Sequence, residues 1–573
     1  MRNEQTTVLK FGGSVLRDEN DLPVAVHDIY RRWRKGSQVL VVVSAFGSTT
    51  NDLLERCKAY GSTPNEEAVA SLLHTGEATT ASLLALALDR AGLPCKILTA
   101  QQAALRTFGG PLDSQPVSVD VDRIRKELQH AIVVVSGYAG VNDAGDISLL
   151  GRGGSDYSAL FLAQRLGARC ILVKDVDGLY DADPNASANS CRFTSASYET
   201  ALDLGGELIQ PKALRFAQRL RHEFEIVGVG ADSGTVIGDR IDKTDYAHSW
   251  SKPIRVALLG CGTVGGGVYE RLRSLPDQFS VVGVVNLDSQ KALRSGIAAE
   301  HLEADAYRLI ERDCDVVIEL IGGIEPAHAL IKHALDLGRH VITANKALLA
   351  SHATYFEELA QDRGVTLSYS GSVGGALPAL EAVGRVDEKR ATAVAGIING
   401  TTNFICDQLS SGAEYDKAVL KAQQDGFAEA DPRLDLDGTD AAQKLVLLAR
   451  TAFGIDLPLE AVEKTGIEGL TRSKVQDAAE SGRSYRLIAE CRRTEAGLAA
   501  SVKPVAIPST HPFANTRGAD NCIFIEKEDG GSTIIRGRGA GRYPTTEAVI
   551  ADLFDVRTSI LFSHSNRVLE VAA

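Results

Sequence analysis

Two glycine-rich turns, each straight after a short apolar run, constrain this chain more than any other feature. The first is Lys10-Phe11-Gly12-Gly13-Ser14; the second, about 250 residues on, is Gly260-Cys261-Gly262-Thr263-Val264-Gly265. Glycine at such a turn lets backbone N–H groups approach phosphate oxygens, and a helix that starts there directs the positive end of its dipole at the same anion. Lys10 beside the first turn adds a mobile positive charge for the same anion, and two such turns so far apart point to two separate active sites in one chain.

The pattern between them agrees. Val39–Val43, Ile132–Val135 and Ile171–Val173 alternate with helical stretches such as Ala78–Arg90 and Asp156–Leu166, which predicts an α/β chain with mostly parallel sheet covered by helices. A run at Glu225–Val229 leads into Ser233–Ile237, and polar Asp239–Lys252 before Pro253 reads as a linker. A second series opens at Ile254, with strands expected at Ile254–Leu259, Val281–Val285, Asp315–Leu320, His340–Thr343 and Thr366–Tyr369. At 573 residues the chain exceeds one core, and domains of about 100–200 residues give three or four. A formal charge of -13 argues against nucleic acid or an anionic membrane as partner, and no apolar run nears the ~18 residues of a membrane span. Nine cysteines with no CxxC spacing and no nearby zinc-spaced histidines indicate a reducing cytoplasm. Small-molecule substrates remain, and no metal-ligand set is assigned.

Further segments accompany the first turn: Val41-Val42-Val43-Ser44-Ala45, Thr49-Thr50-Asn51-Asp52, His74-Thr75-Gly76-Glu77, Leu150-Gly151-Arg152-Gly153-Gly154-Ser155-Asp156, and Lys174-Asp175-Val176-Asp177-Gly178-Leu179-Tyr180 with Asp183-Pro184. In this order they resemble the aspartate kinase branch of the amino-acid kinase family over roughly residues 6–240. The resemblance implies that Lys10, Gly12 and Gly13 hold the transferring phosphoryl group of ATP with Mg2+. Arg152 and Glu77 then take the carboxylate and ammonium of an amino acid, and Thr50 adds a hydroxyl. Asp156 orients Lys10 or the attacking carboxylate, and Asp175 and Tyr180 belong to the nucleotide site. Three positions depart from the family: Lys174 stands for Thr, Asn185 for Arg, and Glu207 for a phosphate-contacting Lys. Beside a phosphate an anion at about 4 Å repels by roughly 4 kcal/mol with an effective dielectric near 20, where a cation attracts by as much, so either a new cation compensates, with Lys174 and Lys212 the candidates, or the kinase is weak. Regulatory modules of the ACT type, common in aspartate kinases, have no room between Ile237 and Ile254.

The second turn follows a strand and opens a helix, as a dinucleotide fingerprint requires. Beyond it lie Glu319-Leu320-Ile321-Gly322-Gly323, Thr343-Ala344-Asn345-Lys346-Ala347-Leu348-Leu349, Asn399-Gly400-Thr401-Thr402-Asn403, Gly426-Phe427-Ala428-Glu429-Ala430-Asp431-Pro432 with Asp435, Asp440 and Lys444, and Gly537-Arg538-Gly539-Ala540-Gly541. Together these resemble homoserine dehydrogenase over residues 254–573. Asp440 and Lys444 share a helix face one turn apart, and hydride addition to an aldehyde puts charge on oxygen that a positioned ammonium stabilises and protonates. The resemblance gives that part to Lys444, with Asp440 and Lys346 positioning the substrate or a water, Glu429 and Asp435 binding its amino or hydroxyl end, and Thr401 also on the substrate side. Gly260, Gly262, Thr263, Val264 and Gly265, with Thr343, Asn345 and Gly539, then hold NAD(P)H. Asp288 suits a ribose 2′-hydroxyl, while Lys291 and Arg294 follow closely, so the choice between the two cofactors stays open. Relatives carry a Glu in a monovalent-cation site where Ser370-Gly371-Ser372-Val373-Gly374 stands here, which leaves such a cation unassigned.

The whole therefore resembles a bifunctional aspartate kinase/homoserine dehydrogenase. Expected domains are a kinase-like αβα sandwich at 1–245, a linker at 246–253, a Rossmann nucleotide-binding domain at 254–385, and an α+β catalytic and dimerisation region at 386–573 whose last segment returns to the nucleotide-binding domain. The resemblance further implies a homo-oligomer, dimer or tetramer, and a functional link to a separate aspartate-semialdehyde dehydrogenase. The alternative makes the first half a degenerate, non-catalytic kinase fold used for interaction.

Overall fold

Runs of β-branched residues buried on both faces form interior strands of parallel sheets, and in the computed structural model such runs build a nine-stranded sheet. The described residues are 6–61, 63–183, 190–206, 208–245, 252–386 and 390–572. The sheet runs Lys243–Asp245, Arg192–Ser197, Thr235–Gly238, Phe224–Gly228, Arg169–Lys174, Thr7–Phe11, Val39–Val43, Ile132–Ser136, Cys95–Leu98. From Phe224–Gly228 to Cys95–Leu98 every pair is parallel. Alternate residues Val8, Leu40, Val42, Val133, Val135 and Leu172 pack with helices Gly154–Leu166 and Pro211–Leu220, while Leu22–Arg34 and Glu66–Arg90 pack together along the same sheet. Four short strands at Arg106–Gly109, Ser114–Ser118, Ala139–Val141 and Ile147–Leu149 form a separate sheet.

Two local expectations change. Lys243–Asp245, inside the stretch read as linker, pairs antiparallel with Arg192–Ser197; its polar composition suits an edge strand exposed to water. The helix read from Ala78 begins at Glu66, because Asn65 caps it by accepting from the Ala68 N–H. Chain contacts divide the molecule into Met1–Trp250 and Ser251–Ala573.

The second unit opens with a six-stranded parallel sheet ordered Leu302–Glu303, Phe279–Val285, Ile254–Leu259, Val316–Glu319, His340–Thr343, Leu367–Ser368. Numbered along the chain this is 3-2-1-4-5-6, the doubly wound Rossmann order, whose crevice lies beyond the carboxyl end of its first strand. A six-stranded sheet follows, ordered Glu463–Lys464, Gly497–Pro508, Arg483–Thr494, Ala391–Ile397, Asp520–Lys527, Ser532–Arg538, and helix Thr439–Phe453 packs on it. The final helix, Arg542–Ala572, returns to the Rossmann layer: Val549, Ile550, Leu553, Phe554 and Val556 share a core with Val256, Leu258 and Phe279. Its approach is close, since a Cβ on Gly267 of helix Thr263–Arg273 would lie 2.4 Å from Thr546 Oγ1.

Phe554 is 1% exposed and meets Phe279 edge to face at 5.1 Å between centroids. Phe554→Ala is expected to destabilise this layer by about 3–5 kcal/mol. Hydrogen exchange should quicken across Phe279–Val285 and stay unchanged across Thr7–Phe11.

Candidate functional site

In the first unit, three chain segments bring one carboxylate and two ammonium groups together. Lys10 lies on Thr7–Phe11 and Lys174 ends the neighbouring parallel strand, in which Leu172 is opposite Lys10. Asp156 sits in the first turn of Gly154–Leu166, where the helix dipole favours an anion. Lys10 Nζ is 2.7 Å from Asp156 Oδ1 and Lys174 Nζ is 3.1 Å from Oδ2. All three are buried. Burial pushes the Asp156 carboxyl up, but Lys10 and Lys174 outweigh it and hold it below the ordinary range; burial, with repulsion from Lys174, lowers the Lys10 ammonium. Gly12 leaves this lysine its room, for a Cβ there would lie 2.8 Å from Lys10 Nζ. Ser14 ties the glycine turn to the Asp175 loop by donating to Asp175 Oδ1 at 3.1 Å, and Asp175 is exposed. Tyr180 donates to Asp177 at 2.7 Å, and burial with that carboxylate pushes its hydroxyl up to about 12. Of the two candidate cations, Lys174 joins Lys10, whereas Lys212 donates to Asp113 and to the carbonyls of Ser114 and Leu150. Asn185 and Glu207 lie outside the described residues.

Glu77 is 2% exposed. One carboxyl oxygen lacks a partner, and burial, eased by the Ala45 N–H, raises it to about 7. Thr50, half-buried, lies in the first turn of helix Thr49–Lys58, which packs on Glu66–Arg90, and Arg152 is exposed. The folded first unit keeps the Glu77 proton to about pH 7 and the unfolded chain only to about 4.5, so this group's contribution to stability falls as pH rises through that window and is flat above it. Glu77→Gln is therefore expected to stabilise the first unit by up to about 3 kcal/mol at pH 8 and to change little below pH 4.5. Urea unfolding followed through Trp33, in a Trp250→Phe background, checks both the sign and the window.

The second unit holds a denser cluster. Helix Thr439–Phe453 places Asp440 in its first turn and Lys444 one turn on, and Lys346 begins helix Lys346–Arg363. Asp440 Oδ2 is 2.8 Å from Lys444 Nζ and Oδ1 is 3.1 Å from Lys346 Nζ. Lys444 also donates to the Ile398 carbonyl at 2.9 Å. A lysine at a helix start opposes the dipole; Asp440 offsets that and raises the Lys346 ammonium despite burial. Burial pushes the Asp440 carboxyl up, yet Lys444 and Lys346 hold it well below the carboxylate range. Burial and Asp440 raise Asp435. Thr401 donates to the Phe427 carbonyl at 2.6 Å, which pins the loop carrying the exposed Glu429.

The Rossmann turn has the shape a pyrophosphate needs. Gly260 has φ +93°, a conformation that favours glycine, and a Cβ on Gly265 would sit 2.1 Å from the Gly260 carbonyl oxygen. Gly262, ahead of Thr263 and Val264, has no other atom within 4 Å of such a Cβ, so the helix start is open to an anion. Gly539 lies against the turn at Gly375 and against Asn521. Buried Asp552 accepts from the Ser370 N–H at 2.9 Å. Among the described residues no group of three or more His, Cys, Asp or Glu is arranged to hold a metal ion.

Sequence reasoning assigned nothing to Glu319 or Asn399. Fully buried Glu319 accepts from Thr343 Oγ1 at 2.6 Å and from the N–H groups of Ile321 and Gly322. Thr343 Oγ1 in turn accepts from the Asn345 N–H, and Asn345 donates to the Gly323 carbonyl. Asn399 donates to both Asp435 and Asp440. Both residues stood inside quoted motifs, and the available signal was an acid or amide with no cation at helical spacing.

Fold and site define an enzyme that joins an amino acid kinase domain to a dinucleotide-dependent dehydrogenase. Residues 5–228 match the model of the amino acid kinase family, 260–369 that of the homoserine dehydrogenase NAD binding domain, and 378–554 that of homoserine dehydrogenase. The homoserine dehydrogenase of Pseudomonas aeruginosa is 36% identical over 330 residues, 56% of this chain and 76% of that protein. That of Corynebacterium glutamicum is 37% identical over 316 residues, 52% of this chain and 71% of its own. A solved homoserine dehydrogenase from Thiobacillus denitrificans superposes with a TM-score of 0.51 at 38% identity, covering 53% of this chain and 73% of its own. The chain belongs to the homoserine dehydrogenase family, and it carries an amino acid kinase domain ahead of the shared region.

Proposed function

We propose that the second unit reduces aspartate 4-semialdehyde to homoserine with NAD(P)H and that the first phosphorylates the β-carboxylate of L-aspartate with ATP and Mg2+. The observation that carries this reading is the buried Lys444–Asp440 pair, with half-exposed Lys346 on the other carboxylate oxygen, in a homoserine dehydrogenase family chain. NAD(P)H, when bound, supplies the hydride; the open Gly262 position and the helix start at Thr263 fit its pyrophosphate. As the carbonyl carbon gains the hydride pair, Lys444 gives one proton to the oxygen and leaves as a neutral amine. Asp440 holds that Nζ in place, Lys346 keeps positive charge beside the developing alkoxide, and Glu429 and Asp435 take the substrate's amino or hydroxyl end.

In the kinase unit, ATP with Mg2+ supplies the phosphoryl group. Lys10 and Lys174 neutralise charge gathering on its oxygens, Asp156 fixes both ammonium groups, Gly12 and Gly13 cradle the phosphates, Asp175 and Tyr180 flank the nucleotide, and Arg152, Glu77 and Thr50 hold the amino acid. The reading includes a homo-oligomer in the cytoplasm, where the nine free cysteines stay reduced, and a separate enzyme converting the acyl phosphate to the semialdehyde.

Hydroxylamine trapping of an acyl phosphate made from aspartate and ATP by the full chain tests the kinase; absence of product beside normal semialdehyde reduction would leave a degenerate kinase fold. Lys444→Ala removes the acid and is expected to lower semialdehyde turnover about 10²–10⁴-fold with dinucleotide affinity nearly unchanged; near wild-type turnover would reassign the proton donor. Lys174→Ala turns the Asp156 cluster into a neutral pair with Lys10, so acyl phosphate formation should drop and the KM for ATP should rise. Equal values for variant and wild type would show that Lys174 does not serve the phosphates.

A further inference from the structure

Asn399 stands where strand Ala391–Ile397 turns into helix Gly400–Ser410, in extended conformation and 4% exposed. Its carboxamide oxygen caps that helix, accepting from the Thr402 N–H at 2.8 Å and from Thr402 Oγ1 at 2.9 Å. That fixes the amide's orientation and leaves Nδ2, with its two hydrogens, aimed at the proton site. One bond runs 2.6 Å to Asp435 Oδ1 and the other 2.8 Å to Asp440 Oδ2. The NH2 group is thus a spacer between two carboxyls that, sharing a site, would otherwise share a proton.

The charges around the two are unequal. Asp440 touches Lys444 and Lys346. Asp435 touches neither, and the charged groups acting on it are Asp440 and Lys444 from Thr439–Phe453 and Lys346 from Lys346–Arg363. Nearby cations on its own helix and on strand Glu463–Lys464 are committed elsewhere, Arg433 to Asp431 and Lys464 to Asp437. We propose that Asn399 is a positioning residue that keeps the carboxyls in different charge states: Asp440 is the standing anion under both lysines, and Asp435 is the group whose protonation closes the substrate site as pH falls. This rests on the dehydrogenase reading in one respect, that ionised Asp435 receives the substrate. Substrate KM then rises on the acid side while dinucleotide affinity stays level.

Two substitutions separate this role from capping. Asn399→Ser keeps a capping oxygen and loses the bridge; Asn399→Asp keeps both shape and cap but exchanges the NH2 donor for a carboxylate oxygen. Losing the donor that favours ionised Asp435 raises its titration midpoint, and a third carboxylate raises it further. Carbon-13 NMR of the aspartate carboxyl carbons, with the Asp435 signal identified by its loss in Asp435→Asn, reads this without turnover. The expected shift is upward by about one pH unit in Asn399→Ser and by more in Asn399→Asp, with the acid limb of kcat/KM for the semialdehyde moving alike and rescue confined to Asn. An unmoved Asp435 midpoint in both variants, or a uniform fall in kcat with an unmoved limb, overturns the proposal. A wild type inactive on the semialdehyde would instead refute the reaction, and the NMR comparison would still decide the part played by Asn399.

Discussion

A carboxylate buried between two ammonium groups carries a net charge of +1, and both units are organised around one. Taking charges out of water is costly, all three in the first unit and Asp440 with Lys444 in the second, where Lys346 stays half-exposed, and removing a buried partner leaves an uncompensated charge worse off than before. The segments bearing Lys10, Asp156 and Lys174, and those bearing Lys346, Asp440 and Lys444, are therefore held to a geometry within about 3 Å, and the surrounding strands and helices have to respect it. The scaffolds are unrelated. One triad spans two parallel strands and a helix start, and the other joins the starts of two helices. The surplus positive charge is what they share, and it suits chemistry that loads negative charge on oxygen.

Much of this was legible in the chain. The second glycine turn announced the Rossmann sheet, because the close contact of Gly265 with the Gly260 carbonyl leaves few residues able to stand there. The i,i+4 spacing of Asp440 and Lys444 placed them on one face, and they meet at 2.8 Å. Other links had no local signature. Lys346 reaches Asp440 across nearly 100 residues, and the reach of Asn399 to both carboxyls depends on a cap geometry that only the fold reveals. Asp552 arrives at Ser370 from the last helix, a contact that no spacing rule encodes. A short edge strand such as Lys243–Asp245 is made by its partner rather than its own composition, and so it read as linker.

The return of the last helix to the Rossmann layer sets an order of assembly. Strand Ile254–Leu259 and helix Thr263–Arg273 leave the ribosome early, yet the apolar residues that cover them, Val549 through Val556, are made almost 300 residues later. Meanwhile the six-stranded sheet between them is synthesised as an insertion in a layer still open to water. The kinase unit, whose sheet is complete by Asp245, has all its strands before that interval begins. Domains fold as units in the order they emerge, so the nascent chain passes through a long stage with one finished unit and one half-covered dinucleotide layer. During that stage Val256, Leu258 and Phe279 lack the apolar cover that the last helix gives them in the finished layer.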